Sequence, residues 1–506
     1  VKKLLGSTLA LVLLVPTMAN AELLKNLQIG GSLDVEGVDG NNLTDFNKKN
    51  YDELNTVLTR LNVKADWDLL DDVHAHISLD KYDSAWGSNP LNGYNNFQQN
   101  AQGTFDAPAG SASGNNNPSA SQSVNGVLNS LLVDEAYVKV KGMFGSVDAT
   151  VGRQFYGDKG DLVAYYGPHD FYGMAVTALD AARLDWQGDK VGVTVIGSKL
   201  YAAGQYGNIN GNTYYYAGYE GFNPTLSNSY DQTLWGIVAN VKPTDNASGA
   251  VSLYYRDTVN SGTTAAGGGV AADDMLYVLD LKGKITAGGA WLKAEYAKDF
   301  GQDRPDTNTK DQNYDGWAFL LDLGDKVDVN NVGALTGWGQ LAVGSGSNGR
   351  NSASGIFQGV AGDYRPGDIY GRFFTTGYGY SAGEVTGFNN SNWNNSSVGG
   401  LVVIGAGVKV NPASLSKLTV GASWWNFRYQ NADTAALVSN GANNGNGFIG
   451  NEYDLDATWK QSENVSVTLS GGTFQPGNFI KAVNASNGNK GNNPATLLAA
   501  DFHLKF

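Results

Sequence analysis

Hydrophobic and polar residues alternate with period two in one segment of this chain after another. Leu27, Ile29, Gly31, Leu33 and Val35 take one phase, and Gln28, Gly30, Ser32, Asp34 and Glu36 take the other. The next run sets Val57, Leu61, Val63, Ala65, Trp67 and Leu69 against Arg60, Asn62, Lys64, Asp66 and Asp68. After a tight Asp71-Asp72 turn, Val73, Ala75, Ile77 and Leu79 alternate with His74, His76, Ser78 and Asp80. Successive side chains of a strand point to opposite faces, so the pattern predicts strands with one apolar and one polar face. Further strands are expected near 132–142 and 146–155, 178–187 and 190–200, 232–242 and 249–258, and 274–283 and 289–299. The series continues near 315–324 and 334–344, 399–411 and 416–428, 451–460 and 464–474, and finally 496–506.

The spacing of these strands carries the topology. Short turns alternate with long Gly/Asn/Ser-rich stretches, the longest from about Ser84 to Asn129, and both ends of the patterned region fall on the short-turn side. A compact soluble domain has no reason to sort its connections this way. A bacterial single-chain barrel has short periplasmic turns, longer surface loops and an even number of strands, each of about 9 to 11 residues. The expected fold is therefore all-β: a transmembrane antiparallel up-and-down β-barrel of about 18 strands, with about 16 as the alternative count. Hydrocarbon offers no partner to backbone amides, so such a sheet must close on itself. Closure at this strand number leaves a water-filled lumen. Trp67, Trp186, Trp235, Trp424, Tyr453, Trp459 and Phe506 are candidates for the aromatic girdles at the headgroup level.

The ends fit the same destination. Val-Lys-Lys-Leu-Leu-Gly, the apolar run Leu9 to Val15, and Ala19-Asn20-Ala21 before Glu22 read as a secretory signal peptide over residues 1–21, leaving 22–506 as the barrel with its extracellular loops. The last twelve residues alternate up to a terminal Phe506 and resemble the signal by which bacterial barrel assembly machinery reads its clients. That machinery is an expected partner, with outer-membrane lipid and lipopolysaccharide. The expected location is the cell outer membrane, reached by export to the periplasm.

Composition removes alternatives. There is no cysteine, so neither disulfides nor thiolate metal sites are available. No stretch of about 18 apolar residues offers a transmembrane helix. The mean hydropathy of −0.28 has a soluble look, which a barrel explains because lumen-facing polar residues dilute the lipid-facing apolar ones. The formal charge of −14, which becomes −16 when Lys2 and Lys3 leave, argues against nucleic acid as a partner.

Glu135-Ala136-Tyr137-Val138, then Val151-Gly152-Arg153-Gln154 leading to Tyr156-Gly157-Asp158, then Asp180-Ala181-Ala182-Arg183-Leu184-Asp185 resemble the alginate-export-type outer-membrane porins. The resemblance implies an 18-stranded monomeric channel. That family's alginate channel has an arginine-rich lumen, whereas parity here places both signs on the inner face. Arg60, Lys64, Glu135, Lys139, Arg153, Arg183, Asp185, Arg256, Lys293, Glu295 and Asp454 are the expected channel-lining residues. A near balance of charge argues against strong anion selection, because a pore selects through an uncompensated ring of one sign. Arg153 is the difficulty: it shares phase with Val147, Ala149 and Val151, so either a bulge resets the phase at Gly152 or Arg153 sits at the rim. The resemblance favours an inward Arg153.

Other chemistry finds less support. His74 and His76 point the same way but lack a third ligand, and read as solvated lumen histidines. The acidic run Gln302 to Asp306, with Asp311, reads as a solvated loop, and no metal or cofactor is expected. His169-Asp170 is a conceivable pair, and Gly379-Tyr380-Ser381-Ala382-Gly383 lacks the strand-to-helix turn of a nucleophile elbow, so no catalytic residues are expected. The loop from Tyr156 to Met174, with Tyr165, Tyr166, Phe171 and Tyr172, could fold inward and offer ring faces to sugars, or pack against the wall. The expected function is a porin for passive diffusion of small hydrophilic solutes or sugars. A dedicated polysaccharide or oligosaccharide export channel is the alternative, and a structural or adhesive barrel the third.

Overall fold

The computed structural model describes residues 26–43, 46–49, 53–83, 131–169, 176–201, 207–209, 212–214, 228–262, 272–304, 312–346, 355–374, 398–430, 447–481 and 491–506. Its core is one sheet of eighteen long strands. In chain order these are β1 Gln28–Asn41, β2 Leu54–Asp68, β3 Val73–Asp83, β4 Leu131–Met143, β5 Val147–Gln154 and β6 Leu179–Gln187. They continue with β7 Val191–Tyr201, β8 Asn228–Thr244, β9 Ala247–Gly262, β10 Ala272–Ala287, β11 Ala290–Arg304 and β12 Trp317–Val329. The last six are β13 Gly333–Gly344, β14 Leu401–Pro412, β15 Leu418–Tyr429, β16 Phe448–Lys460, β17 Val465–Pro476 and β18 Ala495–Lys505.

Each strand pairs antiparallel with its neighbours in sequence, and β18 pairs antiparallel with β1. The seam closes through reciprocal backbone bonds, Gly31 N–H to the Phe506 carbonyl at 2.9 Å and Phe506 N–H to the Gly31 carbonyl at 3.0 Å. The sheet thus has no free edge at this seam, as a sheet in lipid requires. Strands at all the expected positions are present. The segments expected to hold the leader, the 84–129 loop, Asp170 to Met174 and Gly379 to Gly383 lie outside the described residues.

Residues exposed on the strands identify the outer wall. On β9 and β10, Val251, Leu253, Tyr277, Leu281 and Ile285 are exposed, while Ser252, Tyr254, Leu276, Val278 and Asp280 between them are buried. The same alternation sets exposed Tyr453 and Leu455 against buried Glu452 and Asp454 on β16. Such a continuous apolar face is what lipid solvates and water does not. The exposed aromatics stand at two levels, Trp186 and Trp459 beside the short turns, and Trp235, Trp424 and Tyr453 well up their strands.

One irregularity changes the inner face. Ser78 pairs with Glu135 and Leu79 with Val133, so Asp134 is the extra residue of a bulge. Both Asp134 and Glu135 therefore turn inward, where simple alternation allows one.

Candidate functional site

Two connections leave the wall and fold into the barrel. The segment 355–374 touches strands spread widely around the wall: Gln358 N–H donates to Asp299 on β11 at 2.6 Å, Tyr364 hydroxyl donates to Gln340 on β13 at 2.8 Å, and Arg372 pairs with Glu36 on β1. A twenty-residue segment reaches such distant strands together only from inside the cylinder. Its Ile356, Phe357, Val360, Ile369, Tyr370, Phe373 and Phe374 are buried.

Local chemistry shapes this segment. Pro366-Gly367, with Gly367 at φ +78°, makes the turn, since a left-handed residue after proline suits glycine. A Cβ there would also lie 2.6 Å from a carboxylate oxygen of Glu452. Residues after the turn form a helical bend, with Phe373 N–H donating to Ile369 at 3.0 Å and Phe374 N–H to Tyr370 at 3.1 Å. The free amides at its start donate to the Glu452 carboxylate, Ile369 at 2.6 Å and Tyr370 at 2.9 Å. A carboxylate at the positive end of a helical turn is favourable in charge as well as in donors. Aromatic packing completes the anchor: the Tyr370 and Phe427 rings stack at 4.1 Å, and Phe374 meets Phe474 edge-on at 5.0 Å.

The second segment, 155–169, enters from β5. Its Phe155 N–H donates to Glu135 at 3.2 Å, its Tyr156 hydroxyl meets that of Tyr254 at 3.1 Å, and its Leu162 N–H donates to Glu295 at 2.9 Å. Asp161 pairs with Lys282 on β10. The two segments then join each other. Tyr165 N–H donates to Ala361 at 2.8 Å, Ala361 N–H to Val163 at 2.8 Å, and Asp363 N–H to Asp161 at 2.8 Å. Tyr165 and Tyr166 are buried in this contact and serve packing, the second of the two roles the sequence left open, rather than presenting ring faces.

Asp363 locks the junction. His169 Nδ1 lies 2.7 Å from its carboxylate and Arg365 Nε donates to it at 2.8 Å. Burial pushes the Asp363 carboxyl up, but His169 and Arg365 outweigh it and hold the group below the usual carboxylate range. Burial also pushes the His169 imidazole down, and Asp363 only partly offsets it. His169 Nε2 lies 3.0 Å from the Thr177 hydroxyl, so a hydroxyl, an imidazole and a carboxylate do come together in order, which the sequence did not foresee. Thr177 Oγ1 also accepts the Gly167 N–H at 3.2 Å, and the His169 side chain is only 7% exposed, so the trio is built into the loop contact.

Along the wall the charges are paired, some within reach of water and some buried. Arg183 donates to Asp185 at 2.8 Å, and Thr194 donates to the same carboxylate at 2.7 Å. Lys139 and Asp148 lie 2.9 Å apart, with side chains 30% and 33% exposed. Arg60 lies 2.6 Å from Asp80 and 3.8 Å from Asp134, and Arg256 lies 3.6 Å from Asp274. Lys64 and Lys293 share the inward phase, as does Asp454, which accepts from Ser423 at 3.1 Å. Arg256, Glu295 and Asp454 are buried rather than lining open space, Glu295 beneath the first inward segment.

Arg153 is placed differently. The β5 register runs without a shift from Val147 to Gln154 against β6, so no bulge resets the phase at Gly152. Arg153 keeps the phase of exposed Val151 and lies 3.4 Å from Asp180 at the loop end of its strand. The rim placement relieves the cost of a charge at lipid midplane. The histidines are corrected too: His76 is buried, 2.5 Å from Asp66 and 3.3 Å from Glu135, and His74 pairs with Asp68. Cross-strand carboxylates hold them, not bulk water.

The segment 355–374 escaped sequence reasoning because it has no strand period. Its signal was an apolar density that no exposed loop sustains.

No protein-family model matches the chain, and no curated protein matches it. Solved structures do resemble it in fold. OccAB2 of Acinetobacter baumannii aligns over 96% of this chain and 99% of its own, with a TM-score of 0.52 and 8% identity. OpdQ of Pseudomonas aeruginosa aligns over 96% and 99%, with a TM-score of 0.48 and 9% identity. OpdK of Pseudomonas aeruginosa, crystallised with vanillate, aligns over 95% and 99%, with a TM-score of 0.48 and 11% identity. At such identity the likeness to OccAB2 bears on architecture alone. The chain is a closed 18-stranded antiparallel β-barrel whose inner space is crossed by two joined loops.

Proposed function

We propose that this chain is an outer-membrane porin that passes small hydrophilic solutes by passive diffusion. The observation that carries this reading is the contrast between the two faces of the wall. Outside, apolar side chains such as Trp235, Ile237, Leu455 and Leu469 are exposed as a lipid-facing surface. Inside, the Arg183 and Asp185 side chains remain 25% and 28% exposed, so water reaches the inner wall. A greasy exterior around a wet, charged interior is a channel's arrangement. The architecture it shares with the Acinetobacter baumannii protein OccAB2 is compatible with it.

Pairing of the inner charges supports weak selectivity. Of the candidate lining residues, Arg60, Lys139, Arg183 and Arg256 each have an acidic partner, which leaves less net field to favour an anionic polymer. Alginate-type export is therefore the lesser reading, and no catalysis is proposed. Residues 1–21 act as the export leader in this account.

Liposome swelling with sugars of graded size tests the proposal. Uptake should fall steeply with solute size, without preference among stereoisomers. Impermeable liposomes, or uptake confined to one sugar, would contradict it.

A further inference from the structure

Three carboxylates from three separate segments converge where the first inward segment lies on the wall. Asp161 of that segment, Asp280 of β10 and Glu295 of β11 each bring an oxygen within 4.8 Å of the others. All are shut off from water, at 3%, 0% and 1% exposure.

Their donors do not suffice. Glu295 Oε1 accepts from Leu162 N–H at 2.9 Å and Asp161 Oδ1 from Val163 N–H at 2.8 Å. Lys282 Nζ reaches Asp161 Oδ2 and lies 3.3 Å from Asp280 Oδ2. Glu295 Oε2 and Asp280 Oδ1 receive no hydrogen bond, and Asp280 Oδ2 has only the Lys282 ammonium. One ammonium thus faces three buried carboxylates, and buried oxygens without donors are costly.

The geometry points to a Ca²⁺ site formed by Asp161, Asp280 and Glu295, whose ion clamps the 155–169 segment to the barrel wall. An all-oxygen donor set suits a hard cation and disfavours zinc or copper, which prefer nitrogen and sulfur. Two oxygens bound to one Ca²⁺ can lie no more than about 4.6 to 5.2 Å apart, twice the Ca–O distance, and these three stay within that limit. Mg²⁺ needs a tighter octahedron and sheds its water reluctantly. Lys282 is the competitor: its side chain is 19% exposed, so it has a route toward water when a divalent ion takes its place. The ligands stand far apart in sequence, which is why no spacing motif announces them.

Binding here does not depend on the transport reading, so the test measures binding. Calorimetric titration of CaCl₂ into the detergent-solubilised, chelator-stripped full chain should give about one ion per chain, held at least about tenfold more tightly than Mg²⁺. Asp280→Asn and Glu295→Gln should each weaken Ca²⁺ binding by at least about tenfold. Lys282→Met keeps every carboxylate and removes the rival cation, so it should bind Ca²⁺ more tightly than the native chain. That variant keeps the test decisive if an acidic variant fails to fold. No Ca²⁺ binding by the native chain, undiminished binding in folded Asp280→Asn, or weaker binding in Lys282→Met would overturn the proposal.

Discussion

Asp363 donates its backbone N–H to the carbonyl of Asp161 at 2.8 Å, although the two residues belong to loops that leave the barrel between different pairs of strands. Both loops are tied to β11, one through Leu162 to Glu295 and the other through Gln358 to Asp299, and the second reaches on to β16 through Glu452. Their contact joins the two loops inside the barrel.

Because the chain has no native cysteine, the bridge can be tested by cross-linking. Ala164 and Ala361 are partners in a parallel bridge, a spacing compatible with a disulfide. Ala164→Cys with Ala361→Cys should form an intramolecular disulfide on mild oxidation, seen as a mobility shift reversed by reductant. Free thiols after oxidation would show that the loops do not meet.

Gly367→Ala should loosen the second inward segment. The residue has φ +78° and its Cβ would crowd the Glu452 carboxylate, so the substitution should cost about 1 to 3 kcal/mol locally. The expected readout is larger and noisier single-channel current with the barrel's heat resistance retained. Unchanged current would mean that this segment does not set the aperture.

Strand positions were legible in the sequence because lipid outside and water inside impose opposite polarity on alternate residues. The interior was not. Arg60 meets Asp134 only because a bulge turns Asp134 inward, and a bulge leaves no mark in the alternation strong enough to read alone. The cluster of Asp161, Asp280 and Glu295 depends on a loop folding back onto β10 and β11, which period two cannot express. Arg153 was the informative failure. Its parity was right, and the inward placement favoured by resemblance is not the one the β5 register gives.

Acidification should weaken the loop junction through His169. Burial lowers the folded-state pKa of its imidazole below the ordinary histidine value of about 6.5. The unfolded chain then binds more protons between that lowered value and about 6.5, so stability falls as pH drops through this window. Melting curves from pH 7.5 to 5 should show the decline, and His169→Asn should flatten it. An equal slope in both proteins would assign the effect elsewhere.

Breaking one wall pair should shift ion preference. Asp185→Asn leaves Arg183 without its partner carboxylate on a water-reached surface. Reversal potentials in a salt gradient should move toward anion preference, more so at low ionic strength, where screening is weaker. No change would argue that these residues lie off the ion path.

The most direct test is single-channel recording of the purified native chain in planar bilayers. A wet barrel narrowed by two joined loops predicts discrete, ohmic conductance steps with weak ion selectivity. A bilayer that stays silent although the protein has inserted would contradict the account.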